Sequence, residues 1–170
     1  MVARKQYARE EARRLFEEQR IKSAPVPVER IAKALGVRVQ YAPFDGELSG
    51  MAYIKGDVPI VGVNSLHHPN RQRFTLAHEL AHVRLHRALL ETSVHIDKGS
   101  LRRDAISATG EDELEIEANA FASELLMPRA LLQDALSGRT VDLEDDEMIA
   151  NLAKHFRVSE TALRFRLQND

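Results

Sequence analysis

The chain has 170 residues, no cysteine, and 24 Lys plus Arg against 26 Asp plus Glu, a formal net charge of -2. That length suits one compact domain, the missing cysteines exclude both a disulfide framework and a thiolate metal site, and the balanced charge gives no global pull toward nucleic acid or anionic membrane. No run of about 18 apolar residues offers a membrane span, and the charged start lacks a signal-peptide core, so no membrane partner is expected and the cytoplasm is the expected compartment.

Residues 3–20 read as a charged, partly solvated helix with Tyr7, Leu15 and Phe16 on its apolar side. Ser23-Ala24-Pro25-Val26-Pro27 breaks it, and residues 28–35 form a short helix stopped by Gly36. Residues 37–41 alternate as a strand, and 51–54 and 58–63 are two more, joined as a hairpin at Gly56-Asp57. Pro59 suggests that its strand is an edge or irregular. Such strands, as a small antiparallel sheet, offer an edge to which an extended peptide can add.

The stretch from about residue 70 to 90 is apolar on most of its circumference, through Phe74, Thr75, Leu76, Ala77, Leu80, Ala81, Val83 and Leu85. A helix hydrophobic nearly all round is buried. Within it stands His78-Glu79-Leu80-Ala81-His82, a match that composition alone yields by chance about once in forty such chains, so its setting decides its meaning. Positions i and i+4 share a helix face, so His78 and His82 can close on one zinc ion. Glu79 can then serve as the proton acceptor of a hydrolytic reaction. Imidazoles and a carboxylate in a buried helix are costly unless paired or metal-bound. Catalytic zinc sites use a third protein ligand and leave the fourth position open.

Five acids crowd residues 111–117: Glu111, Asp112, Glu113, Glu115 and Glu117. Leu114, Ala118, Phe121, Ala122 and Leu125 mark the buried stripe of a helix over 112–126. Glu115 and Asn119, one turn apart beside that stripe, suit a ligand and an orienting amide, so Glu115 is the expected third ligand. Glu117 is the runner-up, although it lies roughly 200 degrees around the helix from Glu115, so both cannot face one metal. His86 continues the spacing of His78 and His82, but would stand about 12 Å from His78 along the axis, out of reach of a shared ion. It is expected to pack or support. His67, His68, His95 and His155 lack a partner at useful spacing and are expected on the surface or in loops.

RQRFTLAHELAHVRLH, followed about thirty residues later by ELEIEANAFASELLMP, closely resembles the ImmA/IrrE family of zinc metallopeptidases. SGMAYIKGDVPIVGVNSLHHPNRQRF upstream and LAKHFRVSETALRFRLQ at the end are similar to that family too, so the likeness runs from about Val26 onward. It implies an α+β, zincin-like metallopeptidase domain, with His78, His82 and Glu115 matching the zinc ligands and Glu79 the catalytic acid. For some members it further implies cleavage of a helix-turn-helix repressor that controls a stress or mobile-element response.

The remaining segments complete the expected organisation. Residues 93–107 suggest a second hairpin and a wall of the cleft. Helices are expected over 112–126 and 129–136, and an acidic, solvated helix start over 142–147. Residues 145–170 resemble a helix-turn-helix, with Val158-Ser159 as turn and cap. Its second helix begins Ser159-Glu160-Thr161 with an acidic stretch upstream, so DNA contact is not expected. The expected divisions are an N-terminal helix (1–22), the zincin-like domain (23–138) and the helix-turn-helix-like helices (139–170).

The function expected from these readings is zinc-dependent cleavage of a protein substrate, a transcriptional repressor. The alternative is a zinc-containing regulator that sequesters a repressor without cutting it. Tyr53, His86, Arg71 and Arg73 are the candidates for stabilising the oxyanion.

Overall fold

A computed structural model describes residues 3–98 and 110–169. Its helices and strands run α1 (Lys5–Glu18), α2 (Val28–Ala34), β1 (Arg38–Ala42), β2 (Gly50–Lys55), β3 (Val58–Asn64), α3 (Pro69–Leu85), α4 (Arg87–Thr92), β4 (His95–Asp97), α5 (Gly110–Leu126), α6 (Arg129–Leu136), α7 (Asp146–Phe156) and α8 (Glu160–Gln168). The class is α+β, as expected. Among the described residues, no helix is long and apolar enough to cross a membrane.

The four-stranded sheet has the order β1-β3-β2-β4 and is mixed, not purely antiparallel. β2 and β3 pair antiparallel across Gly56 and Asp57, which both take positive φ (56° and 64°), the backbone of a two-residue hairpin turn. β1 instead runs parallel to β3: the segment after it stays at the end where β1 finishes, β2 starts there and runs back, and the hairpin then sends β3 up between them. Pro59 therefore lies in an interior strand. It is tolerated because the ladder from β1 begins only at Ile60, one residue further on. Of residues 93–107, the described part contributes β4, paired antiparallel with β2; residues 99–107 fall outside the described residues.

α3 packs against β2 and β3 on one side and α5 on the other. Its nine consecutive residues Thr75 to Val83 are all buried, as a helix without a polar face must be. Pro69 occupies its first turn and the ring of His68 accepts from the Asn70 N–H, so the helix start is capped. α5 is covered in turn by α1, whose buried side is Ala8, Ala12 and Leu15. Tyr7 stays 42% exposed, so the apolar seam of α1 uses its small residues more than its aromatics. Ion pairs tie α1 and its N-cap Arg4 to α5: Arg4 to Glu117 and Arg13 to Glu124.

α7 and α8 pair at the end of the chain. Asp145 and Ser159 cap them, accepting from the N–H groups of Met148 and Ala162. Arg157 takes the left-handed conformation between them. Arg164 bonds Asp146 and the Leu143 carbonyl, while Arg166 is buried against Glu124 and the Met127 carbonyl.

Candidate metal centre

Three elements converge on one point. α3 supplies His78 and His82, α5 supplies Glu115, and β4 supplies His95. His78 Nε2 and His82 Nε2 lie 3.2 Å apart. Glu115 places Oε2 3.0 Å from His78 Nε2 and Oε1 3.1 Å from His82 Nε2. His95 Nε2 closes the group, 2.6 Å from Glu115 Oε1. These four residues could hold a metal ion. With metal–nitrogen bonds of about 2.0–2.1 Å, tetrahedral ligand atoms stand about 3.3 Å apart, close to the separations seen here.

The other ring nitrogens explain why the same atom of each imidazole faces inward. His78 Nδ1 is 2.9 Å from Asn119 Oδ1, an acceptor only, so Nδ1 donates and Nε2 is the atom turned to the centre. His82 Nδ1 meets His86 Nδ1 at 2.9 Å. His95 Nδ1 lies 3.0 Å from Glu79 Oε2 and donates to it. Every histidine at the centre thus has its outer nitrogen committed and its Nε2 turned inward. The pairing expected of Glu115 and Asn119 is present, with the amide bonding His78.

His95 corrects the sequence reading, which put it on the surface or in a loop. Its register is the reason. His95 faces Ala52 and Asp97 faces Gly50, and residues directly opposite across a strand pair share a face. Gly50 and Ala52 are buried toward α3, so His95 is carried to the same side. The signal available in sequence was its place in the expected wall of the cleft; a strand pairing made without a tight turn has no local signature.

Gly50 sets how closely the sheet approaches. A Cβ there would stand 2.6 Å from Thr75 Cγ2 and 2.8 Å from the Gly62 carbonyl oxygen, with Glu79 Cγ 3.5 Å away. Only glycine lets β2 lie this near the turn of α3 that carries Glu79.

Glu79 is fully buried. Oε2 takes the His95 bond, and Oε1 is buried with no hydrogen-bond partner among the described residues. Burial raises its pKa, although His95 and His78 pull back. Burial also works against charge on His78, but the hydrogen bond and charge of Glu115 outweigh it and hold the ring up at about 9. His95, between Glu115 and Glu79, is raised in the same way to about 10. His82 goes the other way: burial, helped by the charges of His78 and His95, outweighs its bond to Glu115 and lowers it to about 3. Burial would raise Glu115, yet the three imidazoles that bond it drive it well below the ordinary carboxylate range. The centre gathers positive charge at the ring nitrogens that would bind a cation. Three imidazoles and a carboxylate, with no thiolate, are a donor set that zinc accepts.

Glu117 turns away from this point. It bonds His86 Nε2 at 2.8 Å and Arg4 on the far side of α5. His86 is buried in that contact and supports His82, consistent with its expected place outside the ligand set. Tyr53 alternates with Gly50 and Ala52 and so occupies the sheet face opposite α3. Arg73 bonds the Val26 and Arg157 carbonyls, and Arg71 the Ser49 hydroxyl. Of the four oxyanion candidates, Tyr53, His86 and Arg73 are thereby turned or bonded elsewhere.

An α+β fold in which a buried His-Glu-x-x-His helix is flanked by a small mixed sheet, with a glutamate from the next long helix, fits a zincin-like domain. Residues 32–168 match the IrrE N-terminal-like domain of the Peptidase_M78 family, and the chain belongs to that family. Among solved structures, a Mycobacterium tuberculosis transcriptional regulator is similar, with a TM-score of 0.59 at 19% identity. The match covers 92% of this chain and 44% of that one, so the chain spans less than half of its neighbour's length and the likeness speaks to the fold. No functionally curated protein matches the chain.

Proposed function

We propose that this protein is a zinc-dependent endopeptidase whose substrate is a transcriptional repressor of the helix-turn-helix type. The observation that carries the metal is the inward convergence of three Nε2 atoms on the Glu115 carboxylate. His78, His82 and Glu115 would hold the ion. Zinc bound there supplies Lewis-acid activation of water and of the scissile carbonyl.

Glu79 provides the acid–base function. Its Oε1 has no hydrogen-bond partner among the described residues to compete for a proton, and burial raises its pKa, which favours taking one up. It accepts the proton of the attacking water at Oε1 and delivers it to the leaving amine. His95, donating to Oε2, fixes the rotamer that leaves Oε1 available. A regulatory substrate agrees with the family and with the neighbour described as a transcriptional regulator. DNA is not part of this reading, because Arg164 and Arg166, the basic side chains of α8, are engaged inside the protein; salt-dependent binding to duplex would overturn that.

One observation favours a second reading. His95 is a fourth donor, and four protein ligands make a closed site of the structural kind. On that reading the protein keeps zinc and regulates by sequestering the repressor. Co-expression with the protein encoded beside its gene separates the two: mass spectrometry finds one cut that disappears in Glu79→Gln if the protein is a peptidase. A stable, uncut complex supports sequestration.

A further inference from the structure

A line of hydrogen bonds leads from the metal centre to the N-terminal helix. His82 Nδ1 meets His86 Nδ1 at 2.9 Å, and His86 Nε2 meets Glu117 Oε2 at 2.8 Å. Glu117 Oε1 accepts from the Arg4 backbone N–H at 2.9 Å and from Arg4 Nε at 3.1 Å, and Oε2 accepts from the second arm of the guanidinium at 3.3 Å. His82, His86 and Glu117 are all buried, so none of these groups has solvent as an easy substitute.

The donors and acceptors along this line order themselves from the outside inward. Arg4 can only donate, so both Glu117 oxygens are acceptors. Glu117 Oε2 therefore takes the proton on His86 Nε2. A neutral His86 protonated there has only a lone pair on Nδ1. That lone pair must receive an N–H from His82 Nδ1, which leaves the His82 Nε2 lone pair facing Glu115, His78 and His95. Asn119 does the same for His78 in one step.

We propose that Glu117 and His86 are positioning residues that present the Nε2 lone pair of His82 to the metal, with Arg4 of the N-terminal helix anchoring the outer end. The inference rests on the zinc centre proposed above. It gives Glu117 a role distinct from that of Glu115 two residues away, and it makes a residue outside the family match of 32–168 part of the metal centre.

The test is zinc affinity by chelator competition on the full chain, read beside NMR of the zinc-loaded protein. Glu117→Ala and His86→Phe are expected to weaken zinc about 10–100-fold, the range in which partners of ligand histidines act. Arg4→Ala should weaken it less, since its side chain is 55% exposed. Arg13→Ala breaks the Arg13–Glu124 ion pair between α1 and α5 and should leave the affinity at the wild-type value, which separates this line of bonds from general docking of α1. In the wild type, the His82 Nδ1 proton should be a slowly exchanging, hydrogen-bonded resonance and His86 should carry its proton on Nε2. His86→Phe should lose the His82 signal even at saturating zinc. Wild-type affinity in Glu117→Ala, or a His86 protonated on Nδ1, overturns the inference while the zinc centre stands. A wild-type chain that binds no zinc overturns the centre itself and the inference with it. Equal losses in Arg4→Ala and Arg13→Ala remove Arg4 from the chain.

Discussion

α5 carries two acidic clusters that answer the same problem differently. Near its C-terminal end, Glu124 is 2% exposed and bonded on one oxygen by Arg13 at 3.0 Å and on the other by Arg166 at 2.9 Å. Near its start, Glu115 is bonded by three imidazoles instead. A guanidinium is a permanent cation, so the Glu124 cluster is satisfied by the chain itself. An imidazole offers either a proton or a lone pair: with their outer nitrogens occupied, His78 and His95 can give up protons in exchange for a metal ion, and His82 already presents a lone pair. Buried charge alone therefore does not mark a site; the exchangeability of the partner does.

The sharpest way to break this contrast is to truncate both glutamates. Glu115→Ala should abolish stoichiometric zinc by metal analysis. Glu124→Ala should keep full zinc but lose about 3–5 kcal/mol of stability in denaturant, because it breaks a buried guanidinium–carboxylate pair. Full zinc in Glu115→Ala would mean that the carboxylate only balances charge, as Glu124 does.

Glu79→Gln comes next in size. Its partner His95 and its burial persist, so zinc should be retained while peptide cleavage falls about 10²–10⁴-fold, the range for a lost general acid–base. Unchanged turnover would remove Glu79 from the chemistry. His95→Ala should be milder. If His95 acts through Glu79, cleavage falls about tenfold or more and zinc affinity little. Loss of zinc instead would make His95 a ligand and favour the sequestering protein.

The legible parts of this molecule are those written in local periodicity. The burial of α3 follows from its apolar circumference, the hairpin from Gly56-Asp57, and the orientation of Glu115 and Asn119 from helix geometry alone. The parts that were not legible depend on pairings between distant strands. The parallel course of β1 beside β3, the interior place of Pro59 and the register of His95 opposite Ala52 leave no spacing pattern, since each is set by a partner with no fixed offset. The same holds for Arg4, whose partner Glu117 is 113 residues away.

The smallest predicted effect is one of pH, and it probes the exchangeability itself. His78 is raised to about 9 and His95 to about 10, so near neutral pH both rings carry the protons that zinc, or a neutral ring donating to Glu79, would have to replace. A group with a raised pKa must be deprotonated before its lone pair can bind, so zinc affinity should climb as pH rises. Each proton displaced contributes up to about tenfold per pH unit, and the climb flattens once pH passes the pKa concerned. Calorimetry in buffers of different ionisation enthalpy would count those protons, with at least one released per zinc expected between about pH 6 and 8. The Glu124 cluster stands apart from the zinc centre and its partners Arg13 and Arg166 are not ligands, so Glu124→Ala should shift stability without altering the slope. An affinity that stays flat with pH would mean that the imidazoles at Glu115 are already neutral, and the two clusters of α5 would then differ in their partners but not in what a cation must displace.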